Sequence, residues 1–248
     1  MTDKREICAV VLAAGKGTRM KSALPKVLHT LSGKPLVSFV IDSCRKADVD
    51  RVMLVIGHQA ELVRETLGDS VEYALQTEQL GTGHALMAAA EELGGFKGDV
   101  LVLAGDAPFL SAEVVKNLIN KHQQTQAEAT MMTAVIDPPP PYGRIVRDSN
   151  GNVLRIVEEK DASPEEKKLT EVNTSHYIFR SETVFPLLSK LQTNNEQGEY
   201  YLTDIILMLA QRNMPIETVL EKDHKILLGI NTEAELKEAE KLLKSRSL

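Results

Sequence analysis

Three short stretches of the chain carry residues that could do chemistry: one suits a polyphosphate, one the edge of a base and one a hard cation. The first is Gly15-Lys16-Gly17-Thr18-Arg19, followed by Pro25-Lys26. Two glycines in one turn let backbone N–H groups approach an anion with no side chain between. Arg19 can grip a phosphate through paired donors, and Lys26, behind the stiff Pro25, adds a point charge. The second stretch is Gln76 followed by Gly81-Thr82-Gly83-His84. The Gln76 carboxamide has a donor and an acceptor that could read the edge of a base, and Gly81-Thr82 would let a flat ring lie against backbone. His84 reads as structural rather than catalytic. The third is Ala104-Gly105-Asp106-Ala107-Pro108. A carboxylate at a strand end, freed by Gly105 and held by Pro108, suits a hard cation such as Mg2+.

The elements that position these groups follow from the apolar pattern. Residues 7–14 are a continuous apolar run, as expected of a strand covered on both faces. Val37, Val40, Ile41 and Cys44 have helical spacing. Strands are predicted at 51–56, 71–76 and 99–104, alternating with helices at 60–67, 83–93 and 112–123, the last capped by Ser111. Such alternation predicts an α/β, Rossmann-like, mostly parallel sheet with helices on both faces. Ligands on these sheets bind at the carboxyl ends of the strands, where Gly15, Gln76 and Gly105-Asp106 are predicted to lie.

The second half changes character. Strands are predicted at 130–136, 142–147, 153–159, 172–180, 215–219 and 225–228, with helices at 181–191 and 202–213. The proline run 138–141 excludes helix or central strand and is expected to stiffen the approach to Tyr142. Thr232 and Glu235 form a capping box opening a helix to 244. The chain is thus read as a single domain: a nucleotide-binding half (1–129), a second half (130–231) and a closing segment (232–248).

Two familiar phosphate loops are excluded. A Walker loop needs Gly at position 10 and Ser or Thr at position 17, which are Val10 and Gly17; the dinucleotide fingerprint needs a third glycine where Met20 stands. The net charge of −6 argues against nucleic acid as a partner. Residues 7–14 are too short to span a bilayer, so no membrane role is expected. Cys8 and Cys44 are expected to be reduced, buried thiols, which fits the cytoplasm.

Leu12-Ala13-Ala14-Gly15-Lys16-Gly17-Thr18-Arg19-Met20 with Leu24-Pro25-Lys26 resembles the signature of the sugar-1-phosphate nucleotidylyltransferases. Gln76 to Ala85 resembles the base-recognition segment of those members that make UDP-N-acetylglucosamine, the uridylyltransferase half of bifunctional uridylyltransferase/acetyltransferases. The resemblance covers about residues 7–244. It implies that Leu12, Ala13, Ala14 and Gly15 wrap UTP, that Arg19 and Lys26 hold its phosphates, and that Gln76, Gly81 and Thr82 hold the base. It also implies that Asp106, beside Gly105, and Asn231 in Gly229-Ile230-Asn231 bind Mg2+. Tyr142-Gly143-Arg144, Ile156-Val157-Glu158 and Val172-Asn173-Thr174 resemble the sugar-binding strands, implying that Gly143, Glu158 and Asn173 contact N-acetylglucosamine 1-phosphate. Gln197 to Asp204 matches the same enzymes without choosing between a sugar-pocket and a structural role.

The implied catalytic set is Arg19, Lys26 and Asp106, acting on UTP and a sugar 1-phosphate. Ser175 stands where the family has glycine. The bifunctional relatives continue into a trimerising β-helix that this chain does not contain, so acetyl transfer is not expected and a monomer is. The rival readings are the same chemistry on another sugar, such as glucose 1-phosphate, and a nucleotide-sugar binding protein without catalysis.

Overall fold

The computed structural model describes residues 5–246. Residues 1–4, most of the polar stretch Met1–Glu6, and residues 247–248, the end of the closing segment, lie outside the described residues. Strand β1, Ile7–Leu12, sets the plan. Ile7, Ala9 and Val11 face one apolar layer while Cys8 and Val10 face the other, and all five are buried. A strand apolar on both faces has to be covered on both.

A two-stranded hairpin follows, β2 (Thr30–Leu31) and β3 (Lys34–Pro35), which the sequence pattern did not predict. Then come α1 (Leu36–Lys46), β4 (Arg51–Ile56), α2 (Ala60–Leu67), β5 (Glu72–Leu75), α3 (Thr82–Glu92), β6 (Asp99–Ala104) and α4 (Ala112–Thr125). The Ser111 hydroxyl accepts the Val114 N–H at 3.3 Å, capping α4 as predicted. The second half contains β7 (Ala129–Val135), β8 (Arg144–Arg147), β9 (Val153–Val157), β10 (Glu171–Arg180), α5 (Ser181–Leu188), α6 (Asp204–Ala210), β11 (Ile216–Glu221) and α7 (Glu233–Arg246).

The main sheet runs β11-β7-β10-β6-β1-β4-β5, and the β8–β9 hairpin joins it through β10. Strands β6, β1, β4 and β5 are parallel, whereas β10 is antiparallel to β6 and β7. Helices α1, α2 and α4 cover one face. Helices α3, α5 and α6 cover the other. The α/β architecture is the one the alternation predicts. Burial pushes both free thiols, Cys8 and Cys44, up to about 12, so both stay protonated. Among the described residues no helix is long and apolar enough to cross a membrane.

Three expected elements differ. The strand predicted at 225–228 is a tight 3-10 turn, His224–Leu227. Leu227 is buried there, and the turn lets Ile230 N–H reach the Asp106 carbonyl at 2.9 Å, which an extended edge strand would not do. The helix predicted at 202–213 is confined to α6, with tight three-residue turns on either side: Ile205 N–H bonds the Leu202 carbonyl at 3.1 Å and Arg212 N–H the Leu209 carbonyl at 3.0 Å. The helix predicted at 181–191 ends at Leu188, after which Lys190 and Leu191 bond three residues back.

Candidate active site

From β1 the chain proceeds to β4 on one side, and only later reaches β6 on the other. The strand order reverses at this point, the place where open α/β sheets bind ligands. A cleft of about 520 Å³ opens there. It is lined by Leu12, Ala13, Ala14, Gly15, Arg19, Lys26, Gln76, Gly81, Thr82, Asp106, Gly143, Glu158, Asn173 and Asn231, together with residues the sequence did not single out. Gly105 is the exception among the predicted site residues. It packs under the loop, with its N–H on the Leu12 carbonyl at 3.0 Å, and a Cβ there would meet that oxygen at 2.8 Å. It holds β6 close to β1 and does not face the cleft.

The two loop glycines act differently. A Cβ on Gly15 would meet nothing within 4 Å, so it would project into open space beside the cleft. Gly17 has φ +61°, and a Cβ there would come within 2.6 Å of the Lys26 Cβ. Only glycine lets the turn fold down on the segment carrying Lys26. The Lys26 ammonium then pairs with the Asp106 carboxylate and lies 3.0 Å from Asn231 Oδ1. Arg19 Nη2 donates to the same Asn231 oxygen at 2.8 Å.

Asn231 is oriented from behind. Its Nδ2 donates to the Gly229 carbonyl at 3.0 Å, which turns Oδ1 toward the cations. Gly229 must lack a side chain, since a Cβ would sit 2.8 Å from the Asp106 carboxylate. The Glu235 carboxylate accepts the Thr232 N–H at 3.0 Å and the Thr232 hydroxyl accepts the Glu235 N–H at 3.2 Å, completing the predicted capping box. Asp106 and Asn231 thus present two hard oxygens that already converge on one cation, the Lys26 ammonium. Such oxygens suit a divalent metal. Among the described residues no cluster of three His, Cys, Asp or Glu is placed to hold a metal. A metal here would complete its shell with ligand and water oxygens, the usual habit of Mg2+.

Gln76 is buried at the end of β5. Its Nε2 donates to the Gly81 carbonyl at 3.1 Å and lies 3.1 Å from His84 Nδ1. His84 accepts there when its proton is on Nε2, and its ring stacks on Tyr200 at 6.1 Å. With that tautomer these contacts use both amide hydrogens, leaving Gln76 its acceptor oxygen for a ligand. Gly81 has φ +107°, with the Tyr200 carbonyl 2.7 Å from where a Cβ would stand. Tyr200 bonds to both sides of this loop, N–H to the Leu80 carbonyl and carbonyl to the Gly83 N–H, each at 2.8 Å.

The opposite wall comes from antiparallel strands. Glu158 follows β9, and the Thr203 hydroxyl donates to its Oε1 at 2.9 Å. Burial, helped by Asp161, Asp204 and Glu199, pushes the Glu158 carboxyl above the ordinary carboxylate range. Asn173 is buried in β10, and its N–H donates to the Gly143 carbonyl at 2.8 Å. A Cβ on Gly143 would come within 2.9 Å of the Ile156 side chain. The β10 register shifts between Asn173 and Tyr177, and within that bulge Ser175 has φ +60°. Next to it, His176 is fully buried with Nδ1 accepting the Ala104 N–H at 3.4 Å, and burial holds its pKa down at about 4.

Sequence reasoning did not assign Gln79, Tyr142 or Glu199, all of which line the cleft. Gln79 and Glu199 lie inside stretches that drew notice, but only the fold shows which face they present.

The family model for nucleotidyl transferases matches residues 8–225. The chain belongs to the nucleotidyl transferase family. Among curated relatives, this nucleotidyl transferase is 48% identical to the bifunctional protein GlmU of Enterococcus faecalis over 238 residues, covering 96% of this chain and 52% of that protein. It is 49% identical to GlmU of Clostridium novyi over 239 residues, with 96% and 52% covered. GlmU of Bacillus licheniformis is 45% identical over 244 residues, with 98% and 53% covered. The chain therefore spans about half the length of these relatives. A solved structure from Bacillus anthracis, provisionally assigned as a glucose-1-phosphate thymidylyltransferase and holding sucrose, superposes with a TM-score of 0.75 at 19% identity over 95% of this chain and 94% of that one. At that identity the likeness shows the shared fold.

Proposed function

We propose that this chain transfers UMP from UTP to N-acetylglucosamine 1-phosphate, forming UDP-N-acetylglucosamine and pyrophosphate with Mg2+. The observation that carries this reading is the cluster of Lys26 on Asp106 and Asn231 and Arg19 on Asn231, in one cleft with Gln76, Gly81 and Thr82 and with Glu158 and Asn173. With its amide donors committed, Gln76 offers an acceptor. Uracil carries an N3–H donor that suits it, whereas cytosine has an acceptor at N3 and would leave two lone pairs facing each other. On the opposite wall, Glu158 and Asn173 can hold hydroxyl and acylamino groups at fixed geometry. Gly143 leaves room beside both of them.

The proposed step is an in-line displacement. A phosphate oxygen of the sugar 1-phosphate forms a bond to the α-phosphorus of UTP, and the bond to the bridging oxygen of pyrophosphate breaks. No protein nucleophile is required, so catalysis rests on positioning and charge. Lys26 and Arg19 neutralise phosphate oxygens and the leaving pyrophosphate. Asp106 and Asn231 would hold Mg2+, which when bound supplies positive charge against the phosphate oxygens. Gln76, Gly81 and Thr82 fix the base, while Glu158 and Asn173 orient the sugar so that its phosphate faces the α-phosphorus. The reducing, UTP-supplied cytoplasm suits a chain whose two thiols are buried and unpaired.

The test is pyrophosphate release from UTP, with and without Mg2+, in the presence of N-acetylglucosamine 1-phosphate, glucosamine 1-phosphate or glucose 1-phosphate. Mg2+-dependent release with the N-acetyl sugar alone is expected. Preference for glucose 1-phosphate would keep the chemistry and overturn the sugar assignment, for which Ser175, with its side chain at the cleft wall, is the structural reason to look. UTP binding without release from any sugar would leave a nucleotide-sugar binding protein.

A further inference from the structure

A side chamber of about 140 Å³ opens off the sugar wall, and the Tyr177 side chain lines it together with Asn173 and Ser175. Tyr177 is 3% exposed, and its hydroxyl lies 2.6 Å from Asn173 Nδ2, which donates to it. The other end of the same carboxamide, Asn173 Oδ1, accepts the backbone N–H of Ser175 at 3.2 Å. That N–H points back at Asn173 because Ser175 holds a left-handed conformation, φ +60°, inside the β10 bulge. A non-glycine residue keeps such a conformation only where the surroundings enforce it.

We infer that the Ser175 backbone N–H sets which way the Asn173 carboxamide faces and that Tyr177 holds its Nδ2 in place, two positioning elements that together present an N–H donor to the sugar 1-phosphate. The two flips of an asparagine have nearly the same shape, and partners alone decide between them. The Ser175 N–H can only donate. It donates to Oδ1 opposite it and rejects Nδ2 there, because two donors would face each other. Tyr177 then takes one hydrogen of Nδ2 and leaves the second for the cleft. The chemistry selected is a hydrogen-bond acceptor on the sugar, a carbonyl or hydroxyl oxygen, at the position Asn173 reaches. The inference rests on the reading of Asn173 as a sugar contact, but its geometric half stands without it.

The experiment pairs kinetics with side-chain NMR on the full chain. Tyr177→Phe removes one hydroxyl and keeps the ring. It is expected to raise KM for N-acetylglucosamine 1-phosphate about tenfold, the effect of one lost hydrogen bond, with kcat and KM for UTP within about twofold. In NMR, the Asn173 side-chain amide protons are identified by their loss in Asn173→Asp. In Tyr177→Phe one of the pair should move upfield and exchange faster with solvent, whether or not substrate is present. An unchanged Asn173 amide in folded Tyr177→Phe overturns the inference. So does an unchanged sugar KM, or a fall in kcat and UTP affinity of the same size, which would mark a general packing role. If the wild type makes no nucleotide sugar, the proposed function fails while the NMR arm still decides the locking.

Discussion

The two walls of the cleft, one proposed to hold the nucleotide and the other the sugar, are built on different plans. The nucleotide wall is made of turns after parallel strands, and its working parts are backbone and glycine: Gly15 beside open space, Gly17 folded onto Lys26, Gly81 against Tyr200. The sugar wall is made of side chains, Glu158 and Asn173, carried by antiparallel strands that meet in a hairpin and a bulge. A polyphosphate is an anion with a regular spacing of oxygens, which repeated N–H groups and cations can hold whatever the attached group. A sugar differs from another sugar by one substituent, and side chains with fixed donors and acceptors are needed to tell them apart.

Changes that break this comparison should sort by wall. The largest effect is expected where the walls meet. Asp106→Asn should lower kcat by about 10²–10³-fold, as losing one preorganised charge does elsewhere, with a melting temperature close to wild type. A drop of less than about threefold would remove Asp106 from the reaction.

The next effect is on stability. His176 sits where the sugar-side strand β10 packs on β6, and its pKa is lowered from 6.5 to about 4 by burial. A base whose folded pKa is depressed takes up its proton in the unfolded chain first. Its contribution is therefore complete above pH 6.5 and is lost as pH falls toward about 4. The loss should reach about 3 kcal/mol in urea titrations across that range, and His176→Gln should flatten it.

On the nucleotide wall, Gly17→Ala places a Cβ 2.6 Å from the Lys26 Cβ at φ +61°. It is expected to destabilise the fold by about 1–3 kcal/mol and raise KM for UTP more than KM for the sugar phosphate. The opposite split, read in initial rates with each substrate varied, would mean that the loop serves the sugar. The smallest of these effects belongs to the sugar wall. Glu158→Gln should raise KM for the sugar 1-phosphate about tenfold and leave KM for UTP nearly unchanged. Because the Glu158 carboxyl is held above the ordinary range, wild-type sugar affinity should weaken as pH falls through that raised value. The Gln variant should lose this dependence.

The nucleotide wall was more legible in the sequence than the sugar wall, and the reason is locality. Gly15-Lys16-Gly17 follows its strand directly, and Gln76 and Asp106 stand at the ends of apolar runs that can be read one at a time. For Gly105 the sequence was ambiguous, because a glycine beside a ligand and a glycine beside another backbone look the same; in the fold its N–H is on the Leu12 carbonyl. The sugar wall needed the register of β8, β9 and β10, which apolar alternation does not specify. Family resemblance named Glu158 and Asn173, yet it gave no sign of Tyr177 behind Asn173 or of the left-handed Ser175 that turns the carboxamide.

By itself, then, the sequence determined the α/β alternation, the strand ends that carry phosphate-type groups, and the α4 and α7 caps. Each of these depends on residues within a turn or two of one another. Only the tertiary structure decided that Asn231 would meet Lys26, 205 positions away, in a cluster with Arg19 and Asp106. That meeting depends on the 3-10 turn His224–Leu227, which replaced an expected strand and carried Gly229–Asn231 back over Asp106. Contacts between distant segments are set by the packing of the whole sheet, where burial and backbone pairing override the local preference of a few apolar residues.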